Sequence, residues 1–260
     1  MTGWSTGGLI AVPAVDLRDG AAVQLVGGDF AQERLRLADP AVVAAGWRRE
    51  GFAELHLVDL DAAAGGGAQS GLVDAIVAAS LPLGQAVQVG GGMGDESRLE
   101  RVLAAGAVRV VAGTRAIEDA AWIARISARF PGRVVVAADV RGREVVTRGW
   151  TRGSGRSLAE VLDQLNELPL GAVLITAVHV EGRLEGPDLE LLALAARRSR
   201  HPVQASGGIR SLTDLRRLAD LGIRRGVIGM ALYTGRLDPA AAAAEFGGAA
   251  TNADGGESNA

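Results

Sequence analysis

The stretch VQVGGG at residues 87–92 decides the fold, because it returns 116 residues later as VQASGG at residues 203–208. At the same offset, residues 111–113 match residues 227–229, and both segments end an apolar run with glycine. Each copy has the pattern of a short strand that leads into a tight glycine loop and then a helix. A similarity that relates the two halves of the chain predicts a two-fold internal repeat.

Eight short apolar runs of this kind alternate with amphipathic segments whose apolar residues recur at three- and four-residue spacing. Strands that alternate with helices form parallel β/α units, and eight such units need about 250 residues. We therefore predict an α/β protein with one domain over residues 1–246, a (β/α)8 TIM barrel with an internal two-fold half-barrel repeat. An open doubly wound sheet is the alternative. Residues 247–260 are small and polar, and we expect a disordered tail there. The predicted strands are Leu9–Val15, Glu54–Leu60, Ala86–Val89, Arg109–Ala112, Arg133–Ala138, Ala172–Thr176, Pro202–Ala205 and Gly226–Ile228.

The composition excludes several kinds of chemistry. The 260-residue chain has no Cys, and the printed sequence contains no Lys, so thiolate nucleophiles, Schiff-base lysines and Walker-type phosphate loops are excluded. His56, His179 and His201 lack metal-ligand spacing, and we expect neither a metal nor another cofactor. The net charge of −3 does not favour nucleic acid as a partner. Because we find neither a signal peptide nor an apolar run long enough for a membrane span, we expect a cytoplasmic protein with no membrane partner.

Two aspartates follow predicted strands on opposite sides of the barrel. Active sites of such barrels lie at the carboxyl ends of the strands. Asp16 ends the first predicted strand and Asp139 ends the fifth, so the two carboxyl groups face each other across the mouth. Such a pair can divide general acid and general base work; the alternative is that each caps a helix or pairs with a nearby Arg. Thr176 ends the sixth strand and is predicted either to bond a reacting group or to cap a helix.

Glycine loops follow two pairs of predicted strands that are related by the 116-residue repeat. Glycine lets the backbone approach an anion closely and present N–H groups to it. The repeat therefore predicts two phosphate sites on opposite sides of the mouth, and hence a small-molecule ligand with a phosphate at each end. Tight turns without a ligand are the alternative. The predicted phosphate-binding residues are Gly91, Gly92, Gly113 and Thr114 at one site and Gly207, Gly208, Gly229 and Met230 at the other.

Three further side chains are candidates for contact with the ligand. Asp59 ends the second predicted strand and is expected either to orient a neighbour or to bond the ligand. Trp150 lies in a Gly- and Arg-rich segment after the fifth strand, where an exposed indole in a long loop can fold over a flat ring. Arg148, in the same segment, can help to hold phosphate or sugar.

Taken together, these motifs resemble those of the histidine-biosynthesis isomerases that act on phosphoribosylformimino-aminoimidazole-carboxamide ribotide (ProFAR). The resemblance extends to the actinobacterial bifunctional phosphoribosyl isomerases, which also serve tryptophan synthesis, and it covers roughly residues 9–237. The segments that carry it are VPAVDL at 12–17, DG at 19–20, HLVDLD at 56–61, QVGGG at 88–92, GW at 149–150, GPDLELL at 186–192, ASGG at 205–208, IG at 228–229 and ALY at 231–233.

The resemblance implies an Amadori rearrangement, in which an N-linked aminoaldose becomes an aminoketose without a metal or redox cofactor. It assigns the base to Asp16, the acid to Asp139 and an assisting role at the sugar to Thr176. It implies a substrate with two phosphates, in agreement with the two glycine sites. It also adds Glu181 to the substrate-binding candidates, because bifunctional relatives carry a catalytic Asp at this position. We expect the protein to act as a monomer.

This chain departs from the family at several positions near the predicted site. They are Gln24, Gly94, Ala177, Glu181 and Met230. Loss of a charge-assisted contact costs roughly 1.5–3 kcal/mol, so these changes can narrow the specificity. Isomerisation of phosphoribosylanthranilate, alone or in addition, is the second hypothesis. The others are a diverged paralogue that acts on a related sugar phosphate and a non-catalytic barrel that serves as a partner or sensor.

Overall fold

The computed structural model describes residues 8–248, and their strands and helices alternate along the chain. The strands are β1 (Ile10–Arg18), β2 (Ala21–Val26), β3 (Asp29–Leu37), β4 (Glu54–Asp59), β5 (Ala86–Gly90), β6 (Arg109–Ala112), β7 (Val134–Arg141), β8 (Glu144–Thr147), β9 (Arg152–Ser157), β10 (Ala172–Ala177), β11 (Val203–Ser206) and β12 (Arg225–Ile228).

Eight of these strands form a closed parallel ring. Their order is β1-β4-β5-β6-β7-β10-β11-β12, and β12 pairs with β1 to close it. Each of the eight overlaps one of the predicted strands, so the (β/α)8 barrel is confirmed and the open sheet is excluded. Because β1 and β7 are four strands apart in a ring of eight, they lie on opposite sides of the mouth.

Helices cover the outside of the ring. Most begin at an aspartate or serine whose side-chain oxygen accepts hydrogen bonds from backbone N–H groups of the first turn, which satisfies donors that the helix leaves free. The helices are α1 (Pro40–Arg49), α2 (Leu60–Ala63), α3 (Ser70–Ser80), α4 (Glu96–Ala104), α5 (Thr114–Glu118), α6 (Ala120–Arg129), α7 (Leu158–Leu165), α8 (Leu189–Arg198), α9 (Leu212–Asp220), α10 (Met230–Tyr233) and α11 (Pro239–Phe246).

The barrel strands are apolar on both faces because both faces are buried. The outward faces pack against the helices in the main hydrophobic core. The inward faces meet in a smaller cluster inside the barrel, which contains Val12, Ala14, Val135 and Leu174. Since side chains alternate along a strand, residues two positions beyond these also point toward the axis at the mouth.

Two antiparallel hairpins rise from the mouth, and the sequence patterns did not predict them. β2 and β3 follow β1, and β8 and β9 follow β7. Asp16 pairs with Val23 and Asp139 pairs with Val146, so the two hairpins begin at equivalent points of the two halves. The expectation that each aspartate ends its strand is wrong. β1 and β7 each continue two residues further, because the hairpins offer them antiparallel partners.

The barrel axis is crossed by two layers of polar side chains. In one layer Gln88 and Gln204 exchange amide hydrogen bonds of 2.8 and 3.0 Å, and Gln88 also bonds His56 at 3.0 Å. Burial lowers the pKa of His56 to about 4, so this ring is neutral. In a deeper layer Glu54 binds the guanidinium groups of both Arg109 and Arg225.

Both ends of the described chain lie at the bottom of the barrel. Ile10 donates a backbone hydrogen bond to the carbonyl of Arg224, and the carbonyl of Gly247 accepts one from Ala53. Of the expected tail, residues 247–260, the first two residues are described and the rest lie outside the described residues. Over residues 8–248, none of the helices has the length and apolar character that a membrane span requires.

Candidate active site

The two aspartates singled out from the sequence both point into the barrel mouth. Asp16 lies on the same strand face as Val12 and Ala14, and Asp139 on the same face as Val135, and these apolar side chains line the barrel interior. With β1 and β7 on opposite sides of the ring, the two carboxyl groups approach the axis from opposite directions. This opposed placement is the one predicted from their positions after the first and fifth strands.

Burial makes both carboxyl groups harder to ionise. It raises the pKa of Asp16 to about 7. It also raises the pKa of Asp139, although hydrogen bonds from the Thr176 hydroxyl and from Trp150 act in the opposite direction. Thr176 and Asp139 are register partners on adjacent strands, which explains why the hydroxyl reaches that carboxylate. Two acids with different partners can hold different protonation states at one pH.

A third carboxyl group, that of Glu181, joins the pair from the loop after β10. Its pKa is raised to about 7, first by burial and then by the negative charges of Asp16 and Asp139. The Gly182 N–H and the Ser206 hydroxyl oppose this rise. One oxygen of the Glu181 carboxyl group is buried and has no hydrogen-bond partner among residues 8–248. Three coupled carboxyl groups titrate together, and such a cluster retains a proton near neutral pH.

The glycine loop after β11 and the one after β12 form one pocket beside this cluster. Glu181, Gly207, Gly208, Gly229 and Met230 are among the residues that line it. The Glu181 carboxylate lies 3.2 Å from the position that a Cβ on Gly207 would take. The side-chain oxygen of Gln24, carried by β2, lies against Gly229 in the same way. The Glu181 and Gln24 side-chain oxygens thus lie beside Gly207 and Gly229, two of the residues predicted to bind a phosphate.

A buried ion pair stabilises the first glycine loop, Gly91 and Gly92. Arg98 of α4 binds the Asp59 carboxylate at 2.6 Å and donates to the Gly91 carbonyl at 3.2 Å. Asp59 also accepts hydrogen bonds from the backbone N–H groups of Ala62 and Gln69. Its carboxylate therefore faces the helices, and its bonds orient the loop.

The loop after β6 repeats the geometry of the loop after β12. Gly113 precedes α5 with φ −101° and ψ −108°, and Gly229 precedes α10 with φ −102° and ψ −104°. The hydroxyl of Thr114 accepts a 2.9 Å bond from the backbone N–H of Arg148. The guanidinium of Arg148 is bound to Glu118, so this side chain lies at the rim of the first site and is not free within it.

The two hairpins meet above the mouth. The Trp150 ring lies against Gly28 in the turn between β2 and β3, so closely that a Cβ on Gly28 would overlap it. The Gly27 N–H of the same turn donates to the Glu181 carbonyl at 3.2 Å. Trp150 therefore occupies a half-buried hairpin turn, whereas an exposed indole in a long loop was expected.

Sequence reasoning missed the partners that hold the site residues in place. Arg98 was part of a predicted amphipathic helix, and nothing in its spacing marked it as the partner of Asp59. The hairpin after β1 did have a signal, since Asp19-Gly20 between two apolar segments is typical of a two-residue turn. The described part of the chain contains no cluster of three or more His, Cys, Asp or Glu side chains that could hold a metal ion.

Comparison with known proteins gives consistent matches along the chain. The sequence profile of the family described as histidine biosynthesis protein matches residues 10–238. The ProFAR isomerase of Myxococcus xanthus is 56% identical over 240 residues, 92% of this chain and 100% of the relative. The ProFAR isomerase of Gemmatimonas aurantiaca is 52% identical over 239 residues, again 92% of this chain and 100% of the relative.

A more distant relative carries a different name. Phosphoribosyl isomerase A of Streptomyces coelicolor is 42% identical over 225 residues, 85% of this chain and 92% of the relative. Identity above one half along the full length of two relatives, with a profile match that spans the whole barrel, shows that this chain belongs to the histidine-biosynthesis protein family.

Proposed function

We propose that the protein isomerises ProFAR to the corresponding aminoketose in histidine biosynthesis. The observation that carries this is the opposed pair Asp16 and Asp139 at a barrel mouth with a glycine site on either side. A substrate with a phosphate at each end lies across the mouth, and its reacting ribose lies between the two carboxyl groups.

The reaction starts at the ring oxygen of that ribose. Protonated Asp139 donates its proton to this oxygen, the bond from the first sugar carbon breaks, and the attached nitrogen forms a double bond to that carbon. Ionised Asp16 then removes the proton from the second sugar carbon. The electron pair of the broken C–H bond forms a double bond to the first carbon, and the electron pair of the C=N double bond returns to nitrogen and neutralises its charge. Ketonisation of the resulting enolamine adds a proton to the first carbon while the hydroxyl on the second carbon loses its proton and becomes the ketone oxygen.

The raised pKa values suit these two roles. A base works best when its pKa is near the operating pH, and that of Asp16 is about 7. Asp139 must hold a proton, which burial favours. Thr176 bonds Asp139 and orients its carboxyl group, and the charges of Asp16 and Asp139 raise the pKa of the neighbouring Glu181.

The remaining predicted residues bind and orient the substrate. Backbone N–H groups at Gly92, Gly113 and Thr114 receive one phosphate. Those at Gly208, Gly229 and Met230 receive the other, after Gln24 and Glu181 move aside. Trp150 stacks on the substrate from above. Asp59 orients the first glycine loop, and Arg148 lies at the rim of the first phosphate site. The proposed reaction needs no cofactor and all the named groups belong to one chain, and we propose a monomer that works in the cytoplasm.

Steady-state kinetics with ProFAR and, in parallel, with phosphoribosylanthranilate tests the proposal. We expect turnover of ProFAR alone, because the Gln24 amide offers no cation to the anthranilate carboxylate. Asp16→Asn and Asp139→Asn should each abolish turnover while the protein stays folded. A folded wild-type protein that turns over neither substrate, or near-normal turnover by either variant, would contradict the proposal.

A further inference from the structure

Tyr233 reaches from the last unit of the barrel to the strand that carries Asp16. Its hydroxyl donates a 2.8 Å hydrogen bond to the carbonyl of Ala14, two residues before the aspartate. The phenol ring packs edge-to-face against Trp47 of α1, with centroids 5.1 Å apart at an angle of 86°. The indole N–H of Trp47 also bonds the phenol oxygen, at 3.4 Å.

The bond replaces a missing strand contact. β1 pairs with β12 only from Ile10 to Pro13, where β12 ends at Ile228. The backbone N–H of Ile10 donates to the Arg224 carbonyl, on the β12 side of β1. Because the direction of the backbone hydrogen-bonding groups alternates from residue to residue, the Ala14 carbonyl faces the β12 side as well. The chain has turned away at Gly229, so no strand remains beside the Ala14 carbonyl. One helical turn later, Tyr233 supplies the donor.

Among the described residues, the other half of the barrel has no tyrosine hydroxyl at the equivalent position. At the repeat offset, Ile117 of α5 occupies the position of Tyr233, and an isoleucine cannot donate a hydrogen bond. At Asp139, by contrast, Thr176 and Trp150 act as hydrogen-bond partners of the carboxyl group and lower its pKa. Within residues 8–248 the Asp16 carboxyl group has no such partner, so its direction depends on the strand that carries it.

We propose that Tyr233 is a positioning residue for Asp16, and that it fixes the β1 backbone so that the carboxylate meets the second carbon of the sugar. This rests on the proposed function, in which Asp16 is the base. Tyr233 itself does not touch the substrate. The charge of Asp16 also contributes to the raised pKa of the phenol, after burial, so the two groups are near each other.

Tyr233→Phe tests the proposal, because it keeps the ring and removes only the hydroxyl. We expect kcat to fall about five- to tenfold, the rate equivalent of one hydrogen bond, with KM within twofold of wild type. With substrate deuterated at the second sugar carbon, the isotope effect on kcat should rise above the wild-type value, because proton removal becomes more limiting. A merely structural role for Tyr233 would leave the isotope effect unchanged.

Trp47→Phe is the matched control. It removes the other bond to the same phenol oxygen and leaves the bond to Ala14 in place, so kcat and the isotope effect should stay within twofold of wild type. If the wild type turns over ProFAR but Tyr233→Phe matches it in both measures, the positioning role is refuted. If the wild type itself is inactive, the proposed function fails, and the two failures are thus distinct.

A second measurement covers the case in which Tyr233→Phe does not fold. Tyr233 is the only tyrosine of the chain, so expression with 3-fluorotyrosine labels this position alone. The labelled enzyme should keep wild-type kcat, and its fluorine resonance should shift when Asp16 is changed to Asn. A resonance that does not respond to Asp16→Asn would overturn the proposal.

Discussion

Replacement of Asp16 by Asn should make the protein more stable as well as inactive, and the gain should depend on pH. In the unfolded chain this carboxyl group ionises near its ordinary pKa of 3.8, whereas burial in the mouth raises the value to about 7. Between these values the native state binds more protons than the unfolded state, so the free energy of unfolding falls as the pH rises.

The magnitude follows from the size of the shift. Each pKa unit corresponds to 1.36 kcal/mol, so the raised pKa of Asp16 costs the native state about 4 kcal/mol at pH 8 and about 2 kcal/mol at pH 5, relative to the unfolded chain. The Asn variant does not bear this cost. Its advantage over wild type should therefore grow by about 2–3 kcal/mol between pH 5 and pH 8.

Urea denaturation of both proteins at the two pH values measures this difference. The comparison between pH values cancels any effect of the amide that is unrelated to ionisation. Asp220→Asn, on the exposed face of α9, is the matched control and should show no pH-dependent gain. An Asp16→Asn variant that gains equally at both pH values, or that loses stability at pH 8, would refute the reasoning.

Three further predictions concern other parts of the site. Thr176→Val removes a hydrogen bond that lowers the pKa of Asp139, so the limb of the pH profile of kcat/KM that reports the acid should move to higher pH; an unmoved limb would exclude the assigned role. Because burial raises the pKa of Tyr233 above its ordinary value of 10, ultraviolet titration should show no tyrosinate below about pH 11 in the folded protein. Gly91→Ala should lower the free energy of unfolding, measured by thermal denaturation, by more than about 2 kcal/mol, because φ at Gly91 is +89° and a Cβ there would overlap the Asp59 backbone. Gly113→Ala is the control and should keep the fold, because nothing lies within 4 Å of its Cβ.

The barrel and its paired glycine loops could be predicted because each depends on local pattern. A buried parallel strand is an apolar run, a tight loop needs glycine, and a duplicated half repeats both at one offset. Asp16 and Asp139 were singled out for the same reason, since each directly follows an apolar run, although both strands continue two residues further. These features need no knowledge of which distant side chains come together.

The hairpins depend on partners that the sequence pattern does not show. β9 consists of RGSGRS and has no apolar residue, so it is a strand only because β8 offers it an edge. β3 is almost entirely exposed and reads as a polar loop. The outward direction of Asp59 was hidden for a related reason. Both faces of β4 are buried, and apolar residues on both faces leave no alternation to tell one from the other.

The reciprocal amide pair at the barrel axis bears on how such a chain can arise. Gln88 and Gln204 occupy equivalent positions, and each donates to the other. If the two halves were separate but identical molecules, the same contact would be made by one glutamine with its own symmetry mate, an isologous contact on a two-fold axis. A single side chain would then lock the register of a homodimer. Fusion of two such genes would preserve that lock unchanged while freeing each half to acquire its own aspartate partners.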